Sequence, residues 1–321
     1  MSTPASSAWH RCQRTDDIDD FGRLQGGWPL EFEMLAGGRF EGQLEYLQLP
    51  GARVVRESLN RALRQHGGMD AQSCGFALAL GLHGEARFSG QRLGVDAAMV
   101  GQADELDLCS PSGFELLGCV VDASLLEEVA EEVFQDQAPP WLRHRVVVGL
   151  SPLVHQQLTA AMRLALTQVA ARPGLLDEPA SLRLLRDDLV QRWINAMPQA
   201  LDLRELKSVA ARRRVVARAC ELMRSCPEEP LSMLALCRRI GASQRKLTYC
   251  FQESLGLSPA RYLRLMRLHA VRRELRAAAP GQASVQDLAA RWGFWHMGQF
   301  ATDYRRQFGE LPSSTLRQAL A

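Results

Sequence analysis

Residues 231–264, LSMLALCRRIGASQRKLTYCFQESLGLSPARYLR, and residues 283–317, ASVQDLAARWGFWHMGQFATDYRRQFGELPSSTLR, are two versions of one pattern. Offset by 53 positions, they superpose Leu247 on Phe300, Phe251 on Tyr304, Leu255 on Phe308, Gly256 on Gly309 and Pro259 on Pro312. The apolar matches recur every four residues, which puts them on one face of a helix. Each copy reads as helix, tight turn, helix. In the first, Ser232 caps a short helix running through Arg239, Gly241 permits the turn, and Ser243 offers its hydroxyl to the next helix. In the second, Ser284 and Asp287 have the spacing of a capping box, Gly293 supplies the turn and His296 begins the next helix. About twenty residues with glycine in the middle is the geometry that presents a second helix to a DNA major groove.

Between the copies, Ser258 and Pro259 start a helix that runs to about Arg276. At about 1.5 Å per residue it is about 27 Å long. Successive major-groove faces lie about 34 Å apart, so the two second helices are expected to enter adjacent turns on one side, with a bend closing the difference.

Charge divides the chain in the same place. From Arg212 to Ala321 there are 19 Lys and Arg against 8 Asp and Glu, leaving 19 against 28 in residues 1–211. Clustered cations suit a polyanion; a solvated helical surface is the plainer alternative. The first 120 residues read mainly as strands between glycines, in runs such as QLEYLQLPGARVVRESLNRAL, SCGFALALGL and FELLGCVV. A helix then starts at Asp122 and ends before Pro139 and Pro140. Helical periods follow from Pro152 to Ala171, with Leu153, Leu158, Met162, Leu166 and Val169 near one face, and from Ala180 to Met197, with Leu182, Leu185, Leu189 and Trp193; RPGLLDEP makes the turn of this hairpin.

The expected fold is multidomain α+β: a β-rich sensory and dimerisation domain over 1–205, carrying the helical hairpin, and an all-α DNA-binding domain over 206–321. The latter holds helix-turn-helix units at about 231–255 and 284–308 and the connecting helix at 259–276, with an exposed linker near Pro198 to Ser208.

Composition excludes several classes. With 46% apolar residues each part can bury a core, no apolar run approaches the roughly 20 residues that span a bilayer, and a cytoplasmic location is expected. The eight cysteines lack a C-x-x-C pair and read as reduced thiols. No phosphate-binding loop, zinc-protease, nucleophile-elbow or dinucleotide motif occurs, so no catalytic residue, metal or cofactor is expected.

The duplicated units, the intervening helix and the GF…F…Y…FG…P pattern resemble the AraC/XylS family of bacterial regulators. RWGFWHMGQFATDYRRQFGELPSSTLR is similar to the form found in regulators of ethanolamine operons and in virulence or quorum-sensing regulators of pseudomonads. This resemblance implies a transcription regulator, activator or repressor, that binds double-stranded promoter DNA. It also implies a homodimer formed through the first domain and its hairpin, and RNA polymerase as a further partner.

In the first recognition helix the inward stripe leaves Gln244, Arg245, Thr248, Tyr249 and Gln252 outward, beside Ser243 and Lys246. The family resemblance implies that Arg245, Thr248 and Tyr249 face the groove. Arg245 suits guanine O6 and N7, with a phosphate contact as the alternative. In the second, Met297, Gly298, Gln299 and Thr302 are outward; Gln299 is the adenine reader, and Gly298 implies close backbone approach or little readout. Arg305 and Arg306 are phosphate clamps, and His296 caps its helix or bonds a phosphate. Trp292 and Trp295 flank the turn and are expected to pack in the core. Some of Arg261, Arg264, Arg267, Arg272, Arg273 and Arg276 form internal salt bridges.

Two other readings stay open. A repair protein would use a cysteine alkyl acceptor, for which Cys12 in HRCQR has basic neighbours; an architectural DNA binder would need no ligand. His83 in GLHGE is a turn residue. The β-rich domain, with a glycine-lined interior, either holds a small effector of unknown identity or serves only as a dimerisation platform.

Overall fold

The computed structural model describes residues 8–26, 28–134, 140–198, 203–225, 233–279 and 284–319. Ser232, Pro139 and Cys226 lie outside them. Twelve strands are β1 (Trp9–Thr15), β2 (Leu30–Met34), β3 (Gly42–Leu49), β4 (Ala52–Leu59), β5 (Leu63–Gly67), β6 (Ser73–Leu80), β7 (Ala86–Phe88), β8 (Gln91–Leu93), β9 (Ala97–Gln102), β10 (Leu106–Ser110), β11 (Phe114–Asp122) and β12 (Val146–Gly149). They form a seven-stranded sheet in the order β1-β3-β4-β11-β6-β9-β12 and a five-stranded sheet in the order β2-β5-β10-β7-β8. Adjacent strands pair antiparallel, beginning with the β3–β4 hairpin, in which Leu49 faces Ala52 across Pro50 and Gly51.

The larger sheet is covered on both faces, which is why its strands are apolar nearly throughout. One face, including Leu47, Val54, Phe76, Leu78, Val100 and Leu117, packs under three helices: α2 (Ala123–Phe134), α3 (Pro152–Ala171) and α4 (Pro179–Ala196). From α3 and α4 come Leu158, Met162, Leu166, Leu189 and Trp193. The other face, with Leu44, Tyr46, Val55, Ala77, Ala79 and Met99, turns to the interior between the sheets. A short helix α1 (Ile18–Arg23) plugs that interior with Phe21.

Three expectations are corrected in this half. Asp122 closes β11, paired with Ser73, and the helix begins one residue later. Leu153 is 62% exposed, because α3 turns its first coil away from the sheet. RPGLLDEP is the expected turn, with a 3-10 helix over Pro173–Asp177. Cys12, exposed on β1, sits in an ordered strand opposite Glu45, not on a loose terminus.

The all-α part contains α5 (Leu203–Ser225), α6 (Met233–Ile240), α7 (Gln244–Leu255), α8 (Pro259–Ala277), α9 (Val285–Arg291), α10 (Met297–Phe308) and α11 (Pro312–Ala319). Residues 203–208, read from sequence as an exposed linker, belong to α5. The helix is fixed by a stripe of Val209, Val216, Ala219, Cys220 and Met223 at helical spacing, which packs on Leu236, Leu247 and Phe251.

The two parts share a core. Leu268, Val271 and Leu275 of α8 and Phe300, Tyr304 and Phe308 of α10 cluster with Ile18, Phe21, Phe32 and Met34 of the β-rich part. A polar layer adjoins it. The outward face of β5 carries Arg64, whose guanidinium donates to the Tyr262 hydroxyl at 2.6 Å and to Asp107 at 3.0 Å, while Tyr262 donates to Glu33 at 2.7 Å. Burial pushes the Glu33 carboxyl up, but His66, Arg64 and Arg224 outweigh it and hold Glu33 well below the usual range. Glu31, Glu33 and His66 bring ligand-type atoms within 4.8 Å of one another, yet Arg224 stands 2.9 Å from His66 Nε2 and fills the role a cation would take. On α8, His269 Nε2 accepts the Met34 N–H at 2.9 Å; burial lowers its pKa to about 4. Arg272 and Arg276 bind Asp17 and Asp19 at the start of α1, so the expected salt bridges of the connecting helix run to the other part of the chain.

Candidate nucleic-acid interface

Both helix-turn-helix units form from the residues that the repeat singled out. Gly241 and Gly293 sit in the turns with φ of 72° and 78°, a left-handed conformation that side chains with a Cβ rarely adopt. Gly256 and Gly309 end α7 and α10 in the same conformation. Ser243 caps α7 by accepting the Lys246 N–H at 3.2 Å, and Ser258 caps α8 by accepting that of Arg261 at 3.3 Å. Ser284 accepts the Asp287 N–H, but the return half of the box runs from the Ser284 hydroxyl to the Asp287 carboxylate at 2.6 Å.

α7 buries Leu247, Cys250, Phe251 and Leu255 and leaves Ser243, Gln244, Arg245, Lys246, Thr248, Tyr249 and Gln252 exposed, as its period requires. On α10 the buried residues are Phe300, Tyr304, Gln307 and Phe308, and His296, Gly298, Gln299, Thr302, Arg305 and Arg306 are exposed, with Met297 half-buried. α8 joins the units and, at 19 residues, spans about 28 Å. The two exposed faces therefore sit at the ends of a fixed spacer.

Details depart from the sequence reading. His296 stands at the N-cap of α10, but its side chain makes no capping bond; only its carbonyl accepts the Phe300 N–H. Nothing in the protein lies within 4 Å of a Cβ at Gly298, so the protein's own packing does not require a glycine there. The Gln299 amide donates to Asp303 at 3.1 Å, and Arg264 of α8 also pairs with Asp303. Gln299 is thus tethered, whereas the sequence pattern showed only that it points outward. Trp292 packs as expected and donates its indole N–H to Glu274 at 2.9 Å. Trp295 does not: it is 73% exposed, just before α10. Helical spacing could not place it, since it lies in the turn.

The repeat also gave no hint of how the end of α10 is held. Gln307 donates to the Met34 carbonyl at 2.8 Å, and its own carbonyl accepts from Gly38 at 3.1 Å. The Gly37 backbone abuts the Arg306 carbonyl so closely that a Cβ on Gly37 would clash.

Inside the first part, a cavity of about 100 Å³ is lined by Trp28, Val55, Phe76, Met99, Leu108 and Leu116, with Gln25, Glu57, Gln65, Gln102 and Glu105 as its polar members. Three glycines, Gly75, Gly101 and Gly118, also line it. Burial raises the Glu57 pKa to about 7, and hydrogen bonds from Gln65 and Gln25 only partly oppose this. His83 lies in an exposed turn. The thiols of Cys74, Cys109, Cys119 and Cys220 are buried, and burial holds each above its ordinary pKa, against the reactive-cysteine alternative at those positions.

Residues 236–318 match the family model described as a helix-turn-helix domain. A probable thc operon regulatory protein of Rhodococcus erythropolis is 38% identical over 103 residues, 32% of this chain and 31% of that protein. An XylDLEGF operon transcriptional activator of Pseudomonas putida is 38% identical over 97 residues, 30% of this chain and 29% of that protein. The chain therefore spans under a third of the length of these curated relatives. Among solved structures, a probable AraC family transcriptional regulator from Rhodopseudomonas palustris CGA009 is 32% identical, with a TM-score of 0.31, over 34% of this chain and 99% of that one.

Proposed function

Given that the chain belongs to the AraC/XylS family of helix-turn-helix regulators, we propose that it is a sequence-specific transcription regulator that reads double-stranded promoter DNA with α7 and α10. The observation that carries the reading is the pair of amphipathic helices, each preceded by a left-handed glycine turn and each exposing a polar face, fixed at the two ends of α8. On α7, Arg245 reads a guanine edge while Thr248 and Tyr249 touch neighbouring bases; Ser243, Gln244 and Lys246 approach the backbone. On α10, Gln299 reads adenine once it leaves Asp303, Thr302 and Met297 flank it, and His296, Arg305 and Arg306 meet phosphates. Gly298 leaves that helix with one side chain fewer for readout.

The reading includes a homodimer in the cytoplasm. Leu153 and Leu164 on α3 and Leu184 on α4 are large, apolar and exposed on the hairpin, which supports assembly through that surface. No helix among the described residues is long and apolar enough to cross a membrane.

The test uses the full-length protein and a duplex selected from random sequence. Arg245→Ala should relax base choice at one position, a loss of about 1 to 3 kcal/mol of discrimination, whereas Arg306→Ala should weaken all duplexes alike and lower the salt slope by about one. Absence of any preferred duplex, or equal losses on every sequence from both variants, refutes the assignment. Leu164→Glu should shift sedimentation from dimer to monomer.

A further inference from the structure

A second cavity, of about 230 Å³, lies in the seam between the β-rich part and α5. Ser89, Gln91, Gln102, Asp104, His144 and Arg145 line it from one side. Arg213, above a floor of Leu206, Val209 and Ala210, lines it from the other. Three buried polar atoms here have no hydrogen-bond partner: Ser89 Oγ, Arg145 Nε and Arg213 Nε. Two of these three are cationic donors, and they come from different parts of the chain.

Ser89 is the most informative. It is 1% exposed and has φ of 49°, the one positive value outside glycine among the described residues. It occupies the two-residue turn Ser89–Gly90 of the β7–β8 hairpin, in which Phe88 faces Gln91. Such turns favour Asn, Asp or Gly at this position, since a serine there carries backbone strain. A strained residue whose hydroxyl is buried and unpartnered points to a role for the hydroxyl itself.

The arginines are paired through their ends. Arg145 pairs through both terminal nitrogens, with Asp104 and, at 3.5 Å, with Glu105, and Arg213 Nη2 meets Glu105 at 3.3 Å. Glu105 is half-exposed and bridges the two arginines from outside the lining. With Glu105 counted, two guanidiniums face two carboxylates, so the site is close to neutral. What it lacks is acceptor oxygens for its three unpartnered polar groups.

We propose that this seam cavity binds a small anion bearing acceptor oxygens, a carboxylate or a phosphate group, bonded by Ser89 Oγ–H and by the Nε–H groups of Arg145 and Arg213. Such a ligand ties α5 to the β7–β8 hairpin and so fixes the helix-turn-helix units relative to the first part of the chain. The site is separate from the exposed faces of α7 and α10 and does not depend on the DNA-binding reading.

The experiment is done on the full chain without DNA. Inorganic phosphate and acetate are titrated separately, at constant ionic strength set with sodium chloride, while the thermal unfolding midpoint and binding heat are followed. A saturable rise with phosphate alone identifies a phosphate group, a rise with acetate alone a carboxylate, and a rise with both the shared chemistry. Ser89→Gly, which suits the turn and should fold, and Arg213→Gln, which stays polar but removes the guanidinium, should each weaken binding at least tenfold. If neither anion gives a saturable rise, the cavity holds only water; if both variants respond like the wild type, the anion sits elsewhere. Either result overturns the proposal.

Discussion

Replacing Glu57 by Gln should stabilise the protein, and by an amount that depends on pH. Glu57 is buried on β4 and accepts from Gln65 Nε2; Gln25, which accepts from the Tyr46 hydroxyl at 2.9 Å, lies beside it. No cation compensates its charge, and burial raises its pKa from 4.5 to about 7. The unfolded chain therefore releases this proton near pH 4.5 while the folded chain keeps it to about 7, so stability falls across that window and levels off above it. At about 1.4 kcal/mol per tenfold change in proton affinity, the full loss is about 3 kcal/mol. Gln keeps the shape and still accepts from Gln65, but it never ionises. The variant's advantage should grow from about 1 kcal/mol at pH 5 to about 3 kcal/mol at pH 8. With a urea dependence of about 3 kcal/mol per M, its midpoint should exceed that of the wild type by about 0.3 M at pH 5 and about 1 M at pH 8. A midpoint difference that does not change with pH would show that Glu57 is already neutral, or already hydrated, throughout the range, and would refute the reasoning.

Asp17→Asn should destabilise the contact between α1 and α8 near neutral pH and have little effect in acid. Burial opposes ionisation of Asp17, but Arg272 and Arg276 outweigh it and lower its pKa to about 2, so its contribution is present above about pH 4 and lost as pH falls toward 2; an unfolding difference that persists unchanged at pH 2 would contradict this. Trp295→Phe should remove the largest single share of the iodide-quenchable tryptophan emission, because Trp295 is 73% exposed, Trp9, Trp28 and Trp292 are half-buried, and Trp141 and Trp193 are fully buried; unchanged quenching would mean that Trp295 is covered. Gly298→Ala should raise the stability of α10 by up to about 1 kcal/mol, since the added methyl meets open space. Gly37→Ala should lower overall stability by pushing the loop before β3 off the Arg306 carbonyl. Equal effects from these two glycine substitutions, measured by thermal unfolding, would argue against the tight seat of α10.

The helix-turn-helix units were legible because local rules governed them: an apolar period of four, left-handed glycines and serine caps are all written within twenty residues. The inward and outward faces of α7 and α10 followed from that period. Helix α5 was missed although its stripe from Val209 to Met223 has the same form, because its first residues fall in the polar stretch 198–208 that read as a linker and the stripe precedes the duplicated pattern. Trp295 was misplaced because a turn has no periodicity. The tether of Gln299 to Asp303 is an i,i+4 pair visible in sequence, but the competing Arg264 comes from another helix. Least legible was the shared core. Arg64 and Tyr262, or Asp17 and Arg272, lie about two hundred residues or more apart, and nothing local marks either as the other's partner.

Helix α8 sets the distance between α7 and α10, and its Tyr262, His269, Arg272 and Arg276 are seated in the β-rich part. Adding one residue within it would rotate everything downstream by about 100°. Such an insertion would shift the phase of α10 relative to α7 and, in the same step, pull Arg272 away from Asp17 or Tyr262 away from Glu33. On the proposed reading, the spacing of the DNA site would thus be inherited as one trait with the seating of the β-rich part, and a lineage could alter one only by rebuilding the other.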